Sequence, residues 1–149
     1  MIERPYPVPD ADTAFFWGGV DSGVLRIQTC TDCGARIFYP RAVCPTCLGD
    51  TFTWIESAGE GTIYSYTVVH RAPSGFDDDV PFAVALVDLD EGIRLMARLQ
   101  TDAPRIGMRV EVEFRQTVTG VTLPFFREAV EEESRLEREA PAAPDVRKG

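Results

Sequence analysis

The sequence predicts a mainly β protein with an N-terminal helical segment, a small metal-bound ribbon, a closed five-stranded barrel and a charged C-terminal tail. Two observations carry this. All four cysteines, Cys30, Cys33, Cys44 and Cys47, fall as two CxxC pairs inside an eighteen-residue window. From Thr62 to Phe126 the chain then reads as successive β-branched, aromatic or alternating stretches separated by short turns. At 149 residues, 44% of them hydrophobic, the chain holds one compact domain, or a small lobe and one modest domain.

The elements follow in order. Residues 1–23 begin Pro-rich and extended, and Asp10 or Asp12 can cap a short helix running to about Val20. That helix carries Phe15, Phe16 and Trp17, a dense aromatic cluster that either packs on the ribbon or docks a partner. Gly18-Gly19 and Ser22-Gly23 break it. Residues 24–57 form the ribbon, with Val24–Gln28 leading into the first cysteine pair, Ile37–Tyr39 crossing between pairs and Phe52–Ile55 leaving the second. Ser57–Gly61 is a turn-rich hinge. Residues 58–127 form the barrel. Thr62–Val69 is β-branched and aromatic, and Phe82–Leu89 is nearly continuously apolar, as a central strand is. In Ile93–Leu99 and Met108–Val118 the apolar side chains alternate with polar ones, so one face meets a core and the other water. Val121–Phe126 adds a last short strand. Five strands with short connections in so small a body point to the OB type of barrel. Residues 128–149 continue a charged helix that starts at Arg127 and runs to Glu139, followed by an Ala/Pro-rich disordered end.

The cysteines carry the chemistry. Two residues between paired cysteines let both sulfurs face one point, and two such knuckles supply four thiolates to a tetrahedral metal. Zinc suits four soft sulfurs, and such a closed set leaves no position for substrate, so the site is structural. Iron is the chemical rival, because rubredoxin-type sites also use two CxxC knuckles. Ten residues separate the knuckles, which predicts a compact ribbon with no stable core apart from its metal. Disulfides are disfavoured by an N-terminus without an apolar signal-like stretch, and no run approaches membrane-spanning length. A reducing cytoplasm is the expected location.

Other candidates are weaker. The net charge of −9 argues against broad nucleic-acid binding, the role that ribbons and OB barrels serve elsewhere. His70, the only histidine, sits at a strand end and reads as a hydrogen-bonding residue rather than a general base. The Asp77-Asp78-Asp79 run reads as a solvated loop. Phe76 beside it would be exposed unless covered, and is a second candidate for partner docking. Every cationic side chain but Lys148 is an arginine, and Arg36, Arg41, His70 and Arg71 are candidate anion contacts.

The order of parts is specific. FFWGGVDSGVLRIQTCTDCG, FYPRAVCPTC, Trp54, GEGTIYSYTVVH, PFAVALVDLDEG and IGMRVEV succeed one another between Phe15 and Val112. This closely resembles the zinc-ribbon/OB-fold family of acyl-CoA-associated proteins, once a domain of unknown function. Tyr39-Pro40-Arg41 departs from it where many members carry two prolines before the arginine. The resemblance implies a rubredoxin-like zinc ribbon on an OB barrel. It also implies a non-catalytic subunit of a hetero-oligomer, beside a thiolase-like or lipid-transfer-protein-like catalytic subunit that acts on CoA thioesters, a steroid side-chain retro-aldolase among them. The resemblance further implies CoA thioester as a ligand of such a subunit, and neither nucleic acid nor membrane as a partner. The rival classes are a nucleic-acid-binding ribbon/OB module, a rubredoxin-like electron carrier and a free-standing CoA-dependent enzyme.

Overall fold

The computed structural model describes residues 4–130. One helix, α1 (Ala14–Asp21), precedes a three-stranded antiparallel sheet of β1 (Arg26–Cys30), β2 (Arg36–Ile37) and β3 (Phe52–Glu56) in the order β2-β1-β3. Five further strands follow: β4 (Glu60–Val69), β5 (Phe82–Leu89), β6 (Arg94–Gln100), β7 (Arg109–Gln116) and β8 (Thr122–Glu128). They close a barrel in the order β4-β5-β6-β8-β7, so the expected ribbon and five-stranded barrel are both present.

Helix α1 starts later than its acidic residues suggest, for a local reason. The Asp10 carboxylate accepts hydrogen bonds from the Thr13 N–H (2.9 Å) and hydroxyl (2.7 Å) and from the Asp12 N–H (3.1 Å). These bonds tie residues 10–13 into a turn before the first helical residue. At the other end the Val24 N–H returns to the Gly19 carbonyl (2.9 Å), and a Cβ at Gly19 would stand 2.7 Å from the Val24 oxygen. The chain can reverse this tightly only over a glycine.

Alternation shapes the barrel. Every second residue of β5 and β6 is buried: Ala83, Ala85, Val87 and Leu89 on one strand, Leu95, Ala97 and Leu99 on the other. Strand β5 lies between β4 and β6, the central position that its nearly continuous apolar run predicts. Its outward Phe82, Val84 and Leu86 are half-buried; Phe82 borders a cleft with residues 4–7, and the Arg98 guanidinium stands 4.3 Å over its ring. Gly61 lets β4 approach β5 closely, since a Cβ there would meet the Asp88 carbonyl oxygen at 2.5 Å. Closure depends on β8, which pairs antiparallel with β7 and parallel with β6 (Leu99 opposite Phe126). Phe126 is fully buried at that seam.

The two lobes share one core. Phe16, Val20, Leu25 and Ile27 belong to the same buried cluster as the barrel residues, with Trp17, Phe38 and Trp54 packed against it. The hinge is held by polar contacts too. Ser57 N–H donates to the Leu25 carbonyl (2.8 Å), Ala58 N–H donates to Glu91 Oε1 (2.8 Å), and the Arg36 guanidinium donates to the Glu91 carbonyl. The ribbon tip alone has its own small cluster of Cys30, Ile37 and Cys44, flanked by Ala35 and Phe52.

Two expectations need correction. Arg127 and Glu128, read as the start of a charged helix, complete β8 instead: Arg127 pairs across the sheet with Glu111 and Gln100, and its guanidinium meets the Glu111 carboxylate at 2.8 Å. The rest of that helix and the tail, from 131 onward, lies outside the described residues. The Asp77–Asp79 loop is a 3₁₀ turn, and Asp79 is not simply solvated. Its carboxylate joins Arg98 (2.6 Å) to Arg4 (2.9 Å).

Truncating Phe126 to Ala should cost about 3–5 kcal/mol, measured by urea unfolding, because it empties the seam that closes the barrel. Hydrogen bonds from Arg4 and then Arg98 hold the Asp79 carboxyl below the usual carboxylate range. A lowered folded-state pKa means its stabilising contribution is present above about pH 4 and fades as pH falls through the folded value. Asp79→Asn should therefore show a shallower loss of stability on acidification than the parent chain.

Candidate metal centre and neighbouring surfaces

Each cysteine pair is built by a tight backbone turn. In the first, Cys30 closes β1, the Gly34 N–H donates to the Cys30 carbonyl (3.0 Å), and the Cys30 N–H donates to the Ala35 carbonyl (2.9 Å). In the second, the Leu48 N–H donates to the Cys44 carbonyl (3.0 Å), and the Cys44 N–H donates to the Gly49 carbonyl (2.8 Å). Gly34 (φ 73°) and Leu48 (φ 65°) both turn left-handed directly after the second cysteine of their pair. The backbone form is thus the same in both, although only one has the glycine that favours it.

The two turns face each other and bring all four sulfurs within 4.8 Å of one another. Cys30 Sγ lies 3.6 Å from Cys47 Sγ, and Cys33 Sγ lies 3.7 Å from Cys44 Sγ. Those separations are far beyond a disulfide bond. They match a metal tetrahedron, since zinc–sulfur bonds of about 2.3 Å place the sulfurs about 3.8 Å apart. Cys30 and Cys44 are buried, and Cys33 and Cys47 are exposed on the ribbon's rim.

The electrostatics of the quartet favour a cation at its centre. The Cys47 N–H, then the Thr46 N–H and neighbouring thiols, pull Cys44 down to about 6 against the cost of burial. The Gly49 N–H favours the Cys47 thiolate, but the sulfurs of Cys33 and Cys30 outweigh it and push Cys47 up to about 12. Negative charge placed on one sulfur is thus resisted at the next, and a divalent ion at the centre removes the conflict. The residues fit zinc, held by all four cysteines; bound there, it supplies structural cross-linking and charge neutralisation.

The other candidates are spread out. Arg36 reaches the turn between β5 and β6, close to the start of β4. His70 and Arg71 are exposed beyond the far end of β4, and a ten-residue strand spans roughly 30 Å. Arg41 is fixed on the ribbon: its backbone exchanges hydrogen bonds with the Gln28 amide (2.9 and 3.0 Å), and its guanidinium turns back to the Tyr39 carbonyl (3.2 Å). No single anion pocket gathers all four residues.

The aromatic cluster divides in the same way. Phe16 is buried, with ring centroids 5.0 Å from Trp17 and 5.5 Å from Phe38. It serves internal packing. Trp17 is half-buried and donates its indole N–H to the Tyr39 hydroxyl (2.6 Å). Phe15 remains exposed, leaning on Trp54 (5.0 Å) beneath the Arg26 guanidinium (4.3 Å). Phe76 is half-buried under the Arg4 guanidinium at 5.1 Å. The Arg4–Asp79–Arg98 bridge was not legible in the sequence, apart from the X-Pro repetition that begins at Arg4. Two surface clefts flank this region. One of 480 Å³ lies at the barrel end around Val68, Ala83, Leu99 and Arg115, and one of 370 Å³ lies under the N-terminal segment.

Fold and site together define the class, a four-cysteine zinc ribbon set on a closed OB barrel. Comparison with known proteins agrees. Residues 17–53 match the family description "ChsH2, rubredoxin-like zinc ribbon domain", and residues 54–115 match "ChsH2, C-terminal OB-fold domain". The chain is 34% identical over 96 residues to a DUF35 domain-containing scaffold protein of Methanothermobacter thermautotrophicus, across 62% of this chain and 72% of that one. It is 38% identical over 135 residues to a probable enoyl-CoA hydratase alpha subunit of Thermomonospora curvata, across 87% of this chain and 41% of the relative. It is also 39% identical over 114 residues to the 3-oxo-4,17-pregnadiene-20-carboxyl-CoA hydratase alpha subunit of Mycobacterium tuberculosis, across 72% of this chain and 35% of the relative. It therefore spans well under half the length of either hydratase subunit. Among solved structures, the Ltp2-ChsH2(DUF35) aldolase superposes with a TM-score of 0.76 at 37% identity, covering 84% of this chain and 100% of that one. The chain belongs to the DUF35 family of ChsH2-type zinc-ribbon/OB-fold proteins.

Purified protein should carry one zinc per chain by elemental analysis and show none of the visible absorption of a ferric tetrathiolate. Cys33→Ser should lower the zinc content to a small fraction of that value and cost the ribbon its ordered amide signals in NMR, because metal binding and folding are coupled.

Proposed function

We propose that this chain is the non-catalytic, zinc-stabilised subunit of a hetero-oligomeric enzyme acting on acyl-CoA thioesters, and that it scaffolds a thiolase-like or lipid-transfer-protein-like catalytic subunit. The observation that carries the reading is the likeness to the aldolase-associated DUF35 chain over that chain's full length. The relatives point the same way. One is described as a scaffold, and two as alpha subunits of CoA-ester hydratases. The aldolase name of the structural neighbour, taken with the steroid skeleton in the name of the Mycobacterium tuberculosis relative, favours a steroid side-chain retro-aldolase as the activity of the complex.

The physical reading supports this division of labour. A zinc held by four cysteines keeps no open coordination position, so it can stiffen the ribbon but not activate water or substrate. His70 is exposed at a strand end. Scaffolding needs what this structure offers instead: a rigid body that stabilises the folded state of its partner by mass action, with exposed apolar side chains such as Phe15, Tyr64 and Met96 on its surface. We assign any CoA contact to Arg41. Its exposed guanidinium stands on the ribbon, which the metal orders, whereas Arg36 is committed to the barrel turn.

Co-purification from the native host should recover this chain with an acyl-CoA-processing subunit. In that complex His70→Ala should leave turnover within about tenfold of the parent, whereas removing a general base costs about 10²–10⁴-fold. Arg41→Ala should raise KM for the CoA thioester and leave kcat little changed, the pattern of a lost uniform binding contact. Recovery of the chain alone, or a His70→Ala loss in the general-base range, overturns the reading.

A further inference from the structure

The N-terminal segment is built to be extended. Arg4, Tyr6 and Val8 each precede a proline, and Pro5, Pro7 and Pro9 fix their own φ near −65°. Each residue before a proline is also pushed out of the helical region. Residues 4–9 are accordingly devoid of helix or strand, and residues 4–7 lie against the outer face of the barrel. Such a chain loses little conformational freedom when it is bound, which is why aromatic grooves recognise proline-spaced segments.

The surface beneath it has the matching chemistry. Its floor includes Phe82, Met96, Leu123 and Phe125, and Trp17 and Phe76 form its walls. At one end stands Asp79, with Asp77 and Asp78 beside it in the same turn. The strap's leading cation, Arg4, pairs with Asp79 at 2.9 Å, donates to the Gly75 carbonyl and covers the Phe76 ring. Arg98, which also lines the cleft, holds the same Asp79 carboxylate at 2.6 Å, so Arg4 is the second cation on it. The seating is incomplete. A 370 Å³ cleft remains open among these residues, Met96 is 71% exposed, and Val8 is 86% exposed.

We propose that the outer face of β5, β6 and β8 is a docking groove for an extended, proline-spaced segment led by an arginine, supplied by another polypeptide, and that residues 4–9 are its exchangeable resident. The cis segment sets the chemistry of what fits, and the acidic turn selects the cation at the leading end. Tethering gives the resident an effective concentration of about millimolar. A competing segment therefore gains the groove only at comparable concentration or when the strap is weakened.

The test uses the full zinc-loaded chain and a fluorescent peptide of residues 3–10 as the probe. The Arg4→Ala/Tyr6→Ala variant, altered only in the strap, should bind the peptide at least tenfold more tightly than the parent. A peptide with its arginine replaced by alanine should bind that variant at least tenfold more weakly. In the unaltered chain, millimolar peptide should shift the NMR signals of the Trp17 indole and the Met96 methyl group. No binding to the strap variant, equal binding to variant and parent, indifference to the peptide's arginine, or shifts confined to another surface overturns the proposal. No acyl-CoA enzyme enters the measurement, so its outcome is independent of the scaffold reading.

Discussion

The arrangement depends first on four sulfurs converging on one point. The ribbon tip buries too little to hold itself together: Ile37 and two of the cysteines are its buried apolar residues, with Ala35 and Phe52 only flanking them. The energy that fixes it must come from the metal. The constraint does not end at the tip. Cys30 closes β1, and the same strand places Ile27 in the core that runs on through Val20, Leu25 and Phe126. Strand β1 thus joins the cysteine site to the core on which α1 packs, and its pairing with β3 holds it in register. Glu91 adds a polar counterpart, since its carboxylate and carbonyl take donors from the hinge and from the ribbon.

Much of this was legible from residue order, and the exceptions have physical causes. Cysteine spacing specified the metal quartet because chemistry at that site is local: each pair needs only one tight turn. Strands β6 and β7 declared themselves by alternation, the pattern a half-buried surface imposes. Strand β5 was legible as a central strand from its apolar run, but the cleft that Phe82 on its outer face shares with residues 4–7, far away in sequence, was not. The start of α1 was shifted by side-chain bonds from Thr13 to Asp10 that propensity does not show. The Arg4 contacts were invisible for a different reason. Arg4 binds the Gly75 carbonyl 71 positions away, and no periodicity links residues so far apart. The dispersal of Arg36, Arg41, His70 and Arg71 likewise needed the length and direction of β4 to become apparent.

The functional picture joins rigidity with exposed attachment points. One end of the molecule carries the four-cysteine metal site, the middle is a closed ring of strands, and apolar side chains such as Phe15, Tyr64 and Met96 stand exposed on the surface. On the proposed reading, such a protein contributes to catalysis by holding other molecules in place. The aromatic helix shows how sparingly its sequence is used: Phe16 is committed to the interior, while Phe15 one position earlier faces outward.

The insertion of β8 between β6 and β7 has a consequence for biosynthesis. All the earlier barrel strands leave the ribosome before their ring can close, because the segment that seals it, Thr122–Glu128, is translated last among them. Until then the adjoining edges of β6 and β7 present unpaired backbone groups, a template for misassociation between nascent chains. The cysteine turns, by contrast, emerge early and can capture their ion at once, giving the unfinished polypeptide an ordered nucleus on which the later strands can assemble.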